Sequence, residues 1–211
     1  LFRLPFFRCL LLSVLLLAAP AVFAARTILV FGDSLSAGYG IRLEAAWPSL
    51  LAQRLQEMKS NYSVINASLS GETTQGGRSR LDALLTQHAP AIVIIALGAN
   101  DGLRGLPVAT MRENLLAMTE SAQRKKARVL LVGQRLPPNY GPYADQFHAV
   151  FGNVAQARKT AYVDFLLDGV APNPDQFVSH LPQGGPRCHR TLVALCPGQH
   201  QEGLDQLAHF F

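Results

Sequence analysis

Short apolar runs alternate along this chain with longer stretches in which apolar residues return every three or four positions. The runs are Ile28–Phe31, Tyr62–Ala67, Ala91–Leu97, Arg128–Val132 and Ala161–Phe165. Their length and β-branched content suit buried strands. Between them, Ala46, Leu50, Leu51, Leu55 and Met58 mark a helix over 45–58, whose Pro48 falls in the first turn, where proline is tolerated. Leu81, Leu84 and Leu85 predict a helix over 74–88, with His88 at its end as a partner for the dipole. Met111, Leu115 and Met118 predict another over 110–126, and a fourth covers 143–159. Residues 101–107, rich in glycine, read as a loop. Strand and helix in strict alternation imply a parallel sheet covered on both faces. Ala91–Leu97, the most apolar run, belongs at its centre. The expected architecture is α/β: one three-layer α/β/α sandwich with a parallel sheet of about five strands, flavodoxin-like.

Candidate chemistry lies where these strands end. Ile28–Phe31 breaks at Gly32-Asp33-Ser34 into a turn of small residues. In an open α/β sheet the crevice outside the strands' carboxyl ends is where ligands bind. Two further strand ends carry Asn66-Ala67-Ser68-Leu69-Ser70-Gly71-Glu72-Thr73 and Leu97-Gly98-Ala99-Asn100-Asp101-Gly102. Three strand ends would thus deliver Ser34, Gly71 and Asn100 to one rim. A serine hydroxyl there can act as nucleophile, while a backbone N–H at Gly71 and the neutral amide of Asn100 can donate to an oxyanion. The plain alternative is that Asp33 and Ser34 only cap the following helix.

These blocks, with Gly98-Ala99-Asn100-Asp101-Gly102-Leu103-Arg104-Gly105 and Arg135-Leu136-Pro137-Pro138-Asn139-Tyr140-Gly141, resemble the SGNH/GDSL hydrolases, specifically the group of thioesterase I, lysophospholipase and arylesterase. The resemblance runs from about Arg26 to about Phe177. It implies the SGNH hydrolase fold and a serine hydrolase cleaving acyl esters or thioesters through an acyl-Ser34 intermediate. It further implies an oxyanion hole made by the N–H of Ser34, Gly71 and Asn100, with substrate contacts at Asp33, Leu35, Leu136 and Pro137. The segment 135–138 would line the acyl pocket; as sequence alone it reads equally as a surface loop. A G-x-S-x-G elbow is absent.

The chain departs from the family where the base should be. An Asp-x-x-His block followed by Pro is expected soon after Phe177, and Val178-Ser179-His180-Leu181-Pro182 does not supply it. His180 is the histidine nearest that place, and Asp175 the nearest upstream acid, five residues away. Beyond Ser179 no 3.6-residue stripe marks a last helix, so 179–211 is atypical. A shifted reading frame near codons 178–182 and a natural divergence with His180 as base both remain open. Without a base, Ser34 is a weak nucleophile, and the chain is expected to be nearly inactive although its fold to about Phe177 resembles an active enzyme's. The alternative function is an acyl- or lipid-binding protein that kept the pocket without the chemistry. A nucleotide-binding domain is disfavoured, since the first loop has neither G-x-G-x-x-G nor Walker spacing.

Composition adds a compartment. Arg3 and Arg8 precede a nearly unbroken apolar run from Leu10 to Val22, and Val22-Phe23-Ala24 suits signal cleavage after Ala24. The run is shorter than the ~20 residues that span a bilayer. Residues 1–24 are therefore expected to be a signal peptide and 25–211 the hydrolase domain, periplasmic or secreted, monomeric and without a membrane anchor after cleavage. Losing Arg3 and Arg8 takes the formal charge from +5 to +3, and the scattered cations carry no nucleic-acid footprint. Cys188 and Cys196 remain after Cys9 leaves. With His189 and His200 they match no standard zinc spacing, so neither metal nor cofactor is implied. The expected partner is a small acyl ester, thioester or lysophospholipid.

Overall fold

The computed structural model describes residues 25–165. The expected signal peptide, Asp175, His180 and the cysteine-bearing tail lie outside them. The described chain forms strands β1 (Arg26–Gly32), β2 (Tyr62–Asn66), β3 (Ile92–Ala96), β4 (Arg128–Val132) and β5 (Ala161–Val163). Its helices are α1 (Ser34–Ala37), α2 (Trp47–Glu57), α3 (Thr74–His88), α4 (Ala99–Leu103), α5 (Val108–Arg124) and α6 (Pro142–Arg158), with single 3₁₀ turns at Leu43–Ala45 and Pro138–Tyr140.

All five strands pair in parallel in the order β2-β1-β3-β4-β5, the flavodoxin-like order. The first two connections step to opposite sides of β1, so the strand order reverses at β1 and β3. Period-two alternation explains the layers. Leu29, Phe31, Val93, Ile95, Val129 and Leu131 face one side, where they pack on Leu81 and Leu85 of α3, Leu115 and Met118 of α5, and Phe147 and Phe151 of α6. Ile28, Val30, Ile92, Ile94, Leu130 and Val132 face the other, against Trp47, Leu51 and Leu55 of α2. β3 is fully buried along its length, as its unbroken apolar run requires.

Two segments correct the sequence reading. Residues 99–103, expected within or beside a loop, turn helical as α4. The fifth helix begins at Val108, two residues before the expected start, directly behind Pro107. Among the described residues no helix is long and apolar enough to cross a membrane.

Candidate functional site

β1 ends against its own helix. A Cβ at Gly32 would lie 2.5 Å from Ser36 Oγ and 2.9 Å from the Ala96 carbonyl oxygen, so only glycine lets α1 fold back over the end of β3. Asp33 then caps α1: its Oδ1 accepts from the Leu35 N–H at 3.1 Å, and Gly38 closes the helix at φ 76°. Ser34 is the first helical residue and is partly exposed. Two ties hold this turn from outside. Trp47 Nε1 donates to Ser36 Oγ at 3.3 Å, and Asn66 Nδ2, at the end of β2, donates to the Ser36 carbonyl at 2.7 Å.

The loop after β2 brings Gly71 to the same rim. Gly71 has φ 79°, in the left-handed region that glycine occupies without penalty. Its carbonyl accepts from Arg104 Nη2 at 3.1 Å. Glu72 beside it pairs with Arg80, whose guanidinium also donates to the Ala67 carbonyl and stacks 4.4 Å from the Phe31 ring centre. After β3, Asn100 lies in α4, and its Nδ2 donates to the Glu72 carbonyl at 2.9 Å. That bond fixes the amide plane and leaves a second N–H on the same nitrogen.

Ser34, Gly71 and Asn100 thus follow three adjacent strands, β1, β2 and β3, around the point where strand order reverses. Leu136 is half-buried against the larger core and Pro137 is half-buried beside it. Their loop and the start of α6 are tied to the end of α4 and the segment behind it by Tyr140 and Tyr143, whose hydroxyls donate to the Leu103 and Leu106 carbonyls. Leu35 is 39% exposed. Asp33, expected to contact substrate, is instead wholly buried, and its capping role is the plain alternative weighed from sequence.

Burial also gives Asp33 unusual electrostatics. Oδ2 has no hydrogen-bond partner among the described residues. Desolvation pushes the carboxyl up to about 6, against the pull of the Leu35 N–H and with a smaller push from Asp101.

Neither described histidine stands at this rim with free ring nitrogens. His88 ends α3, at the opposite edge of the sheet, as the sequence led one to expect. In His148, Nδ1 lies 3.0 Å from the Gln134 carbonyl and Nε2 3.2 Å from Asp164 Oδ1. Among the described residues no group of three or more His, Cys, Asp or Glu is arranged to hold a metal. Sequence reasoning gave no role to Asn66, Thr74, Asp101 or Arg104, although three of them stood within the quoted blocks. Their signal is a polar residue inside a strand-end block without chemistry of its own.

Comparison with known proteins decides the family. The model of the GDSL-like lipase/acylhydrolase family matches residues 30–192. The chain belongs to this family. The match extends past Phe177, where the resemblance seen in sequence stopped. Esterase TesA of Pseudomonas aeruginosa is 49% identical over 160 residues, 75% of this chain and 79% of that protein. Thioesterase 1/protease 1/lysophospholipase L1 of Escherichia coli is 41% identical over 165 residues, 72% of this chain and 78% of that one. A crystal structure of TesA superposes with a TM-score of 0.74 at 40% identity, covering 87% of this chain and 97% of that chain. The SGNH hydrolase fold and an acyl ester or thioester hydrolase, as expected from sequence, are what these likenesses support. Nothing in them favours the non-catalytic alternative.

Proposed function

We propose that this hydrolase cleaves small acyl esters or thioesters through an acyl-Ser34 intermediate. Ser34 Oγ attacks the carbonyl carbon as its proton passes to a base. The tetrahedral oxyanion accepts from the N–H groups of Ser34 and Gly71 and from the Asn100 amide. Collapse expels the alcohol or thiol, which takes up that proton, and water then cleaves the acyl-enzyme by the same route. The observation that carries this reading is the set of ties joining the three strand-end loops: Asn66 to Ser36, Asn100 to Glu72, and Arg104 to Gly71. These ties support the reading because they join the three loops that carry Ser34, Gly71 and Asn100.

The acyl chain is read as lying along Leu35, Leu136 and Pro137. His180 is proposed as base, with Asp175 as the acid that orients it; export to the periplasm or medium is read from the signal-like residues 1–24. Activity on a p-nitrophenyl ester chain-length series tests the reaction. Turnover lost in His180→Ala and kept in His88→Ala and His148→Ala supports the assignment. Turnover indifferent to all three removes His180 as base.

A further inference from the structure

The loops after β2 and β3 are joined below the rim by a pair that takes no part in the chemistry described. Asp101 and Thr74 are 3% and 0% exposed. The Thr74 N–H donates to Asp101 Oδ2 at 2.8 Å, and the Thr74 hydroxyl donates to Asp101 Oδ1 at 2.6 Å. The same hydroxyl accepts from Asn114 Nδ2 at 3.2 Å, and Asn114 Oδ1 accepts from Arg78 Nη1 at 3.2 Å. Asn114 is 1% exposed, so the chain of bonds runs from the surface of α3, through α5, to the floor of the site.

Position gives this chain its meaning. Asp101 directly follows Asn100, and Thr74 stands three residues after Gly71. Both oxyanion donors therefore hang from the two ends of one buried clamp. We propose that Asp101, acting through Thr74, is a positioning residue that sets the distance between the Gly71 N–H and the Asn100 amide. This inference rests on the proposed oxyanion hole.

The competing role is purely structural. Thr74 is the first residue of α3, and its N–H is one of the donors a helix leaves unsatisfied, so Asp101 also caps that helix from another loop. The two roles part at the transition state. A cap that only stabilises α3 alters the amount of folded protein and leaves each folded molecule's rate alone. A clamp on the oxyanion donors alters the rate per folded molecule, because a misplacement near 1 Å at such a site lowers it by about 10²-fold.

The test uses the full chain with p-nitrophenyl butyrate, reading kcat, KM and Tm, and with a short alkylboronic acid, which forms a tetrahedral adduct on a serine hydroxyl. Asp101→Asn offers one acceptor where two donors need one each. Thr74→Val keeps the shape and drops the hydroxyl, and Thr74→Ser restores it. Asp101→Asn and Thr74→Val are expected to lower kcat about 10- to 100-fold, with KM within about threefold and boronate affinity falling in step. Thr74→Ser returns to within about threefold of the parent. If Tm falls while kcat and boronate affinity hold, Asp101 only caps α3 and the inference is overturned, with the proposed function intact. A parent that hydrolyses no ester and binds no boronate overturns both.

Discussion

At the amino ends of the strands the helices run out in exposed lysines, whereas at the carboxyl ends the loops bury carboxylates and expose leucines. Lys59, Lys126 and Lys159 close α2, α5 and α6 in the left-handed conformation, all three exposed in the position where cations complement the helix dipole. The carboxyl rim reverses the usual arrangement. Asp33, Ser36, Thr74 and Asp101 are buried there, while Leu35, Tyr39, Leu43, Leu69, Leu103 and Leu106 are exposed. Met58 is the only other large apolar residue exposed among those described, and it lies at the amino end. Buried polar groups must be satisfied, so they tie loops together where apolar packing cannot reach. Exposed apolar groups suit an apolar ligand. The amino end follows the rules that make a sequence fold; the carboxyl end departs from them around the proposed site.

The sharpest way to separate the two ends is at Ser34. Ser34→Ala is expected to abolish ester turnover while leaving circular dichroism and Tm at parent values, because the side chain lost is small and partly exposed. A rate equal to the parent's would move the chemistry elsewhere. Asn100→Ala comes next, lowering kcat about 10²- to 10³-fold, the usual effect of removing one oxyanion donor. A loss under tenfold would reduce Asn100 to its bond with Glu72.

Asp33 sharpens the contrast through stability. Its carboxyl titrates at about 6 in the folded state against an ordinary value of 3.8, so the folded state holds the proton more tightly. Stability due to this group is therefore lost as pH rises from about 4 to 6, and the penalty is complete above 6. That difference corresponds to as much as ~3 kcal/mol. Asp33→Asn keeps a capping oxygen and removes the charge. Urea unfolding should show the Asp33→Asn variant more stable than the parent at pH 7, with the gap closing toward pH 4; a gap independent of pH would exclude Asp33 as its source.

The smallest effect belongs to the amino end. Lys126→Gly relieves a left-handed φ of 63° and should raise stability by about 0.5–1 kcal/mol, leaving kcat within twofold. A change in kcat beyond that would mean that the two ends communicate.

Much of the framework was legible because it is local. The apolar runs located each strand, the stripes at Leu81–Leu85 and Met111–Met118 located α3 and α5, and the breaks at Gly32, Gly71 and Asn100 marked the rim. α4 was not legible, since Asn-Asp-Gly is a poor helix former that reads as a turn. What holds it helical is Asp101 bound to Thr74, a contact across 27 positions that no window of periodicity spans. The same distance hid the polar clamp. Asp33 was legible as a cap, whereas its complete burial was not, because sequence gives a residue's chemistry more readily than its depth. Asp175 and His180 fall outside the described residues, and with them the missing Asp-x-x-His block.

Trp47 is the chain's single tryptophan, and its indole nitrogen donates to the hydroxyl of Ser36, two residues beyond Ser34. Indole emission shifts with the polarity and hydrogen bonding around the ring. The protein therefore carries a built-in optical probe of the turn that holds its proposed nucleophile, readable at one wavelength without a label. The proposed acylation of Ser34, the arrival of an acyl chain and loosening of the Gly32 bend are each expected to register in stopped-flow fluorescence, even with substrates that release no coloured product.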